Sequence, residues 1–275
     1  MASDASTKSG GVLETIKTVV YALLIAGLFR SLLFQPFWIP SGSMKDTLLI
    51  GDFLFVNKFA YGYSYASCPS IPAVGIDAKK ICAVFDGENK RLFGSEPERG
   101  DVVVFRHPVT GADFIKRVVG LPGDKVQMKN GVLHINGTAV KLEHGGVFTE
   151  TMAPQGPQGG LPRCENGPVG QGGQCEKTRL IETLPGGVSH SILNIDNSFV
   201  DNTGVFSVPQ GHYFFVGDNR DNSTDSRVTQ SRGGVGFVPY ENLIGRADRV
   251  MFSSAGRSMF AFWTWRSDRF FKAIE

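Results

Sequence analysis

From Val19 to Phe29 the chain reads VVYALLIAGLF without a charge, and after Arg30 and Ser31 the apolar run resumes through Leu32, Leu33 and Phe34. As a helix, Val19 to Phe34 measures roughly 24 Å, slightly short of a ~30 Å hydrocarbon core. It is apolar on every face, so it has no polar side to turn to water. A cleaved secretion signal would end in small residues, whereas RSLLFQPFWIP follows here. A buried core helix would be unusually apolar all round. A membrane anchor over 18–36 fits best, with the stem of Arg30 reaching toward the headgroups. Lys8 and Lys17 precede the run and Arg30 and Lys45 follow it, so the positive-inside count barely orients it.

Behind this segment the pattern is mainly β. The 275 residues include 34 Gly and 14 Pro, which favour turns, and 21 Phe, 6 Tyr and 3 Trp, which favour strands. Asp101 to Phe105 (DVVVF), Asp113 to Val119 (DFIKRVV) and Tyr213 to Val216 (YFFV) read as strands. Val126 to Lys129 and Val132 to Asn136 form a predicted hairpin around Asn130-Gly131. Ala153 to Gly173 holds 4 Pro and 7 Gly, so it reads as an exposed, mobile loop without a packed element. In the tail, Phe260, Trp263, Ser267, Phe270, Phe271 and Ile274 share one face of a helix over 257–275. That helix either packs on the body or lies in a membrane interface, where Trp and basic residues collect.

Several function classes are excluded. The net charge of +2 is no basic excess, so a dedicated nucleic-acid binder is not indicated. No glycine-rich phosphate loop, G-x-S-x-G elbow or H-E-x-x-H is present. The five histidines show no metal spacing. Cys68, Cys82, Cys164 and Cys175 lack C-x-x-C spacing. They permit two local disulfides in an oxidising compartment, or four buried thiols otherwise, and the Gly/Pro-rich surroundings of Cys164 and Cys175 favour the first.

Four segments carry candidate chemistry. Ser43 in PSGSM stands nine residues past Phe34, at most about 30 Å from the helix end, so a nucleophile there would work near a bilayer surface. On its own, SGSM is a weak signal. Lys116 shares a strand face with Phe114 and Val118, while Ile115, Arg117 and Val119 share the other. Apolar neighbours would desolvate its ammonium and lower its pKa toward a working base. The bland alternative is a strand lysine whose stem snorkels to water. Gly217 to Arg227, GDNRDNSTDSR, is dense enough in Asp and Arg to act as a hydrogen-bonded scaffold, and lacks the calcium-loop pattern. Arg99-Gly100-Asp101 reads as a turn feeding a buried strand.

Together these segments resemble bacterial type I signal peptidase, a family of Ser–Lys dyad serine peptidases. The resemblance runs in order through the anchor, PSGSMKDTLLIGDF (40–53), RGDVVVFR (99–106), FIKRVVGLPGDK (114–125), GDNRDNSTDSR (217–227) and the closing IGRADRVMFS (244–253). It does not extend to the Gly/Pro loop, the Cys68–Cys82 region or the aromatic tail. It implies a fold of two merged β-subdomains behind one transmembrane helix. The expected organisation is a cytoplasmic segment 1–17, the anchor 18–36, a periplasmic body 37–256 and the tail 257–275. Within the body, 138–212 would be a non-catalytic β insertion containing the loop 153–173.

The resemblance also implies residue roles. Ser43 would be the nucleophile and Lys116 its general base. The Ser43 amide and Ser41 hydroxyl would form the oxyanion hole. Ser223 would hydrogen-bond the lysine, with Asp225 and Arg227 supporting it from behind. Phe37, Ile39, Met44, Leu48, Val104 and Ile115 would line shallow apolar pockets for the small residues before an Ala-x-Ala cleavage site. The implied partners are signal peptides of exported preproteins and the lipid bilayer of the inner membrane, with no cofactor, metal, nucleotide or nucleic acid. A periplasmic body in turn implies a Cys164–Cys175 disulfide and, less directly, Cys68–Cys82.

The sequence departs from the family at three places. Asp46 stands where the family usually has Pro, Phe114 where it often has Tyr, and one anchor is present where some members have two. Lys45, two residues from Ser43, reads as sitting on an exposed turn. Two other functions stay open at this level: a Ser–Lys peptidase with a narrow dedicated substrate, and an inactive tethered β-domain. An inactive relative would have no need to keep Ser43, Lys116, Ser223, Asp225 and Arg227 together.

Overall fold

The computed structural model describes residues 8–67, 91–256 and 258–274, with side chains described for 11–27 and from 33 onward. The Cys68–Cys82 pair lies outside the described residues. Helix α1 runs Lys8–Leu32 and exposes Val12, Ile16, Tyr21, Leu24 and Ile25 among others. Among the described residues no helix is long and apolar enough to cross a membrane. Residues 34–36, expected at the end of the anchor, belong instead to strand β1 (Phe34–Trp38), because Gln35, Pro36 and Phe37 find their register against β2 (Asp52–Asn57).

The body is built from strands. A seven-stranded sheet has the order β1-β2-β14-β3-β4-β12-β13, with β3 at Val102–Arg106, β4 at Asp113–Gly120, β12 at His212–Val216, β13 at Val238–Pro239 and β14 at Leu243–Ser253. β3 occupies an interior position in that order, and its Val102, Val103, Val104 and Phe105 are all buried. A central strand covered on both faces must be apolar at consecutive positions, which is how DVVVF reads. The turn before it uses Gly100 at φ +101°, as the Arg-Gly-Asp segment requires.

The hairpin of β5 (Lys125–Lys129) and β6 (Val132–Ile135) turns through Asn130 and Gly131, both at positive φ, the geometry of a tight two-residue turn. With β7 (Thr138–Ala139) and β11 (Phe206–Ser207) it forms a four-stranded sheet in the order β11-β5-β6-β7. Val126, Met128, Leu133 and Ile135 of that sheet pack on Val119, Phe214 and Val216 of the large one. A third sheet, β10-β9-β8, comprises β8 (Lys141–Thr151), β9 (Gln174–Thr183) and β10 (Ser189–Asn194). The expected 138–212 insertion is therefore not self-contained, since β7 and β11 at its two ends pair with β6 and β5.

The Gly/Pro-rich loop carries no packed element, but it is pinned rather than free. Gln155 accepts a hydrogen bond from Lys45 at 2.7 Å, Arg163 donates to the Asp221 carbonyl, and a disulfide joins Cys164 to Cys175 on β9.

The tail also differs from expectation. Among its described residues it forms two single 3₁₀ turns, at Phe262–Thr264 and Ser267–Arg269, and no α-helix. Its backbone groups are used on β14 instead: Arg266 N–H donates to the Ser253 carbonyl at 2.9 Å and Ile274 N–H to Asp248 at 3.0 Å. The aromatic residues follow suit. Trp38, Phe53, Phe252 and Trp265 form a stacked series with successive centroid separations of 5.8, 4.4 and 4.7 Å.

The tail is fixed by one buried ion pair. The Arg269 guanidinium donates to both carboxylate oxygens of Asp52 and, at 3.0 Å, to the Thr47 carbonyl. Asp52 is 0% and Arg269 2% exposed. Removing one member strands a charge in a dry site, so Arg269→Met is expected to lower unfolding free energy by about 3–5 kcal/mol. Denaturant unfolding at pH 7 measures this.

Candidate active site

Strand β4 delivers Lys116 to the centre of the body. Its burial rises along the strand, and Lys116 is 4% exposed beside the Phe114 ring, whose centroid lies 5.5 Å from Nζ. The loop after β1 brings Ser43 to it: Ser43 Oγ lies 2.7 Å from Lys116 Nζ. Met44 and Leu48, expected to line substrate pockets, are both 0% exposed and pack with Ile39, Leu54 and Val250 in the core. They anchor the Ser43 loop from below, the consequence of apolar side chains pointing inward on a tight turn.

Burial holds the Lys116 ammonium down to about 8, against the opposing pull of Asp225 and Asp218. About a tenth of the molecules would then carry a neutral amine at pH 7, and half at pH 8. The amine's other partner is the Ile115 carbonyl at 2.8 Å. Ser223, expected on the lysine, donates instead to Asp225 Oδ2 at 2.7 Å. A fully buried carboxylate without a donor is costly, and Asp225 gathers four donor groups: the Ser223 hydroxyl, the Gly217 and Arg227 amides, and the Arg227 guanidinium in a two-point contact at 2.9 Å. Those contacts hold its carboxyl below the ordinary range although burial pushes it up. Gly217 is obligatory here, since a Cβ would fall 2.2 Å from Ser223 Oγ and 2.6 Å from the Ser43 carbonyl.

The rest of the 217–227 segment grips the Ser43 loop. Asn219 donates from its backbone to the Ser43 carbonyl at 3.1 Å and from its side chain to Gly42 at 2.8 Å. Asp218 accepts two bonds from Arg117, at 2.9 and 2.8 Å, and one from Thr47. Sequence reasoning missed Asn219, Arg117 and Asp218 as site residues. The available signals were an arginine set among apolar neighbours on β4 and the Asp/Asn density of the 217–227 segment.

An open cavity of about 350 Å³ lies over the pair, lined by Phe37, Ile39, Val104 and Ile115 among the residues assigned to the apolar pockets, and also by Trp38, Asp113, Phe114, Asn222 and Thr224. Ser41 lines it too, with its hydroxyl 3.4 Å from Ser43 Oγ. Lys45 does not. It is buried, not on an exposed turn, and is paired with Glu150 at 2.5 Å. Asp46, in the place of the family proline, ion-pairs with Arg179 of β9 at 2.7 Å and accepts a bond from Ser191 of β10 at 3.0 Å. A tether thus does what ring stiffness would otherwise do.

The geometry is that of a hydroxyl beside a desolvated amine in an apolar cleft, which can deprotonate a serine for attack on an acyl carbon. The comparisons with known proteins decide its class. Residues 12–252 match the family model described as signal peptidase, peptidase S26. The chain belongs to this peptidase family. Signal peptidase I of Rickettsia typhi is 36% identical over 262 residues, spanning 92% of this chain and 85% of that one. Signal peptidase I of Rickettsia akari is 38% identical over 242 residues, spanning 85% and 77%. A crystal structure of a signal peptidase I from Enterococcus faecalis V583 aligns with 23% identity and a TM-score of 0.29, over 55% of this chain and 97% of that one. Through its family and its curated relatives, the chain is a serine endopeptidase, a hydrolase of signal-peptide processing. Its mainly β body is the expected fold class.

Proposed function

We propose that this peptidase removes signal peptides from exported preproteins by a Ser43–Lys116 dyad, cleaving after small residues of Ala-x-Ala type while anchored to the inner membrane through α1. The observation that carries the reading is the 2.7 Å separation of Lys116 Nζ and Ser43 Oγ in an apolar cleft. Neutral Lys116 takes the Ser43 proton, and Oγ attacks the scissile carbonyl. The tetrahedral oxyanion is met by the Ser43 amide and the Ser41 hydroxyl. The lysine, now protonated, gives its proton to the leaving amine, and the acyl-enzyme forms. A water deprotonated by the same lysine then releases the signal peptide and regenerates Ser43.

The cleft's size and lining support the specificity. Phe37, Ile39, Val104 and Ile115 present apolar walls to the residues before the cut, in a cavity of about 350 Å³. The exposed apolar side chains of α1, together with Phe260, Phe262 and Trp263 of the tail, support lipid contact. The periplasmic body and cytoplasmic N-terminus follow from the family resemblance. The test is cleavage of a detergent-solubilised preprotein by the full-length peptidase, with the new N-terminus mapped by sequencing. The cut is expected after the second Ala, and replacing that Ala with Phe is expected to lower kcat/KM by at least about 100-fold. Unchanged cleavage of the Phe substrate would overturn the specificity.

A further inference from the structure

Besides the Arg179–Asp46 and Glu150–Lys45 pairs, the third sheet reaches the active-site scaffold through a buried carboxylate that the resemblance does not cover. Glu182 on β9 is 0% exposed, and His190 stands opposite it on β10. The Glu182 carboxylate accepts from the guanidinium of Arg220, itself 3% exposed. His190 Nε2 lies 3.3 Å from Glu182 and 3.9 Å from Asp218. From Arg220 the connection to the lysine is short. Its carbonyl accepts from the Arg227 guanidinium at 2.6 Å, and Arg227 makes the two-point contact on Asp225. On the other side Asp218 is paired with Arg117, the chain neighbour of Lys116.

Charge makes Glu182 more than a packing residue. Arg220 is drawn first to Glu182 and then to Asp218 and Asp225. Those last two are the carboxylates that keep a proton on Lys116. Although burial works against it, Arg220 and His190 hold the Glu182 carboxyl down at about 2, so the pair stays charged throughout the working range. Burial, together with Arg117, holds His190 below its ordinary value, so the imidazole does not supply a competing cation at neutral pH.

We propose that Glu182 is a positioning residue of the Ser43–Lys116 dyad. It fixes Arg220 so that the arginine's carbonyl stays on Arg227, and it keeps the Arg220 charge from drawing on Asp225 and Asp218. The inference rests on the dyad reading. The sheet expected to be a non-catalytic insertion thereby contributes to the setting of the base.

The test is the pH dependence of kcat/KM for preprotein cleavage by the full-length peptidase. The charged and titratable groups in play are Arg220 and His190 beside Glu182, Arg117 and Asp218 beside His190, and Asp225, Asp218 and Arg227 around Lys116. In Glu182→Gln, Arg220 turns its whole charge on Asp225 and Asp218, so Lys116 loses its proton more readily. The acid limb is expected to move down by about half a pH unit, roughly a threefold gain relative to its own plateau at low pH. The plateau kcat itself is expected to fall by about tenfold with KM within twofold, as for other lost supporting contacts. In Glu182→Gln/Arg220→Gln both charges are absent and the limb returns to the wild-type position.

A wild-type limb in the single variant, or the same shift in both variants, overturns the proposal. Should Glu182→Gln fail to fold, Glu182→Asp keeps the charge but withdraws it, and its limb moves the same way by less. An unmoved limb there also overturns the proposal. Failure of the dyad reading looks different, because cleavage would then survive Ser43→Ala in every background.

Discussion

Ser43→Ala is expected to lower kcat/KM for preprotein cleavage by at least about 10⁴-fold while the protein stays folded. The hydroxyl is the only group in the cleft that stands 2.7 Å from a desolvated amine among the described residues. Its removal takes away the bond-forming atom, so no acyl-enzyme forms, and the residual rate is what substrate binding and oxyanion donors give a water. The fold should scarcely notice. Met44 and Leu48 anchor the loop through packing, and Asn219 holds it through the Ser43 and Gly42 carbonyls, none of which involves Oγ. Cleavage kinetics and thermal unfolding of the same preparation separate the two effects. Activity within tenfold of wild type would remove Ser43 from the chemistry.

Lys116→Met is expected to cost about as much in rate, because a serine without its base is not a nucleophile at neutral pH. Here the wild-type pH profile is the more telling measurement. With the ammonium held at about 8, kcat/KM should climb roughly tenfold per pH unit below that value and level off above it. Stability should respond to pH in a higher window than activity does. The lysine is lowered from 10.5 to about 8 on folding, so the unfolded chain holds its proton more tightly and stability rises between those two values. Below pH 8 the whole cost of burying the ammonium is present, on the order of 3 kcal/mol from the size of the shift. Methionine fills similar volume without that cost. The variant is thus expected to unfold at higher denaturant than wild type at pH 7, with the gap narrowing as pH rises through the window. A wild-type limb near pH 6.5 would point to a different titrating group.

Much of this architecture was legible in the residues. DVVVF is buried on both sides because it is an interior strand, and Asn130-Gly131 turns where only those residues tolerate two positive φ values in succession. The period-two face of DFIKRVV correctly put Lys116 among apolar side chains. What could not be read was long-range. A methionine and a leucine beside a serine look alike whether they line a pocket or fill the core beneath it. Lys45 was misread for the same reason, since its partner Glu150 lies 105 positions away on β8. The tail failed because its helical spacing is real but its backbone donors find β14 first, and no local pattern announces a distant acceptor. Arg117, Asp218 and Asn219 sat inside segments already singled out, yet their roles depend on which loop faces them.

That non-local construction has a kinetic corollary. The Ser43–Lys116 contact spans 73 residues, the Asn219 bond to Gly42 spans 177 and the Arg269 bond to Asp52 spans 217. Each closes a long loop whose entropy must be lost before the contact contributes anything. Strand pairs such as β5 and β6 can form early, but neither the alignment of serine and amine nor the dry cleft around them exists in a partly assembled chain. Hydrolytic competence is therefore among the last properties this polypeptide acquires, and a half-folded copy has no means of cutting its neighbours.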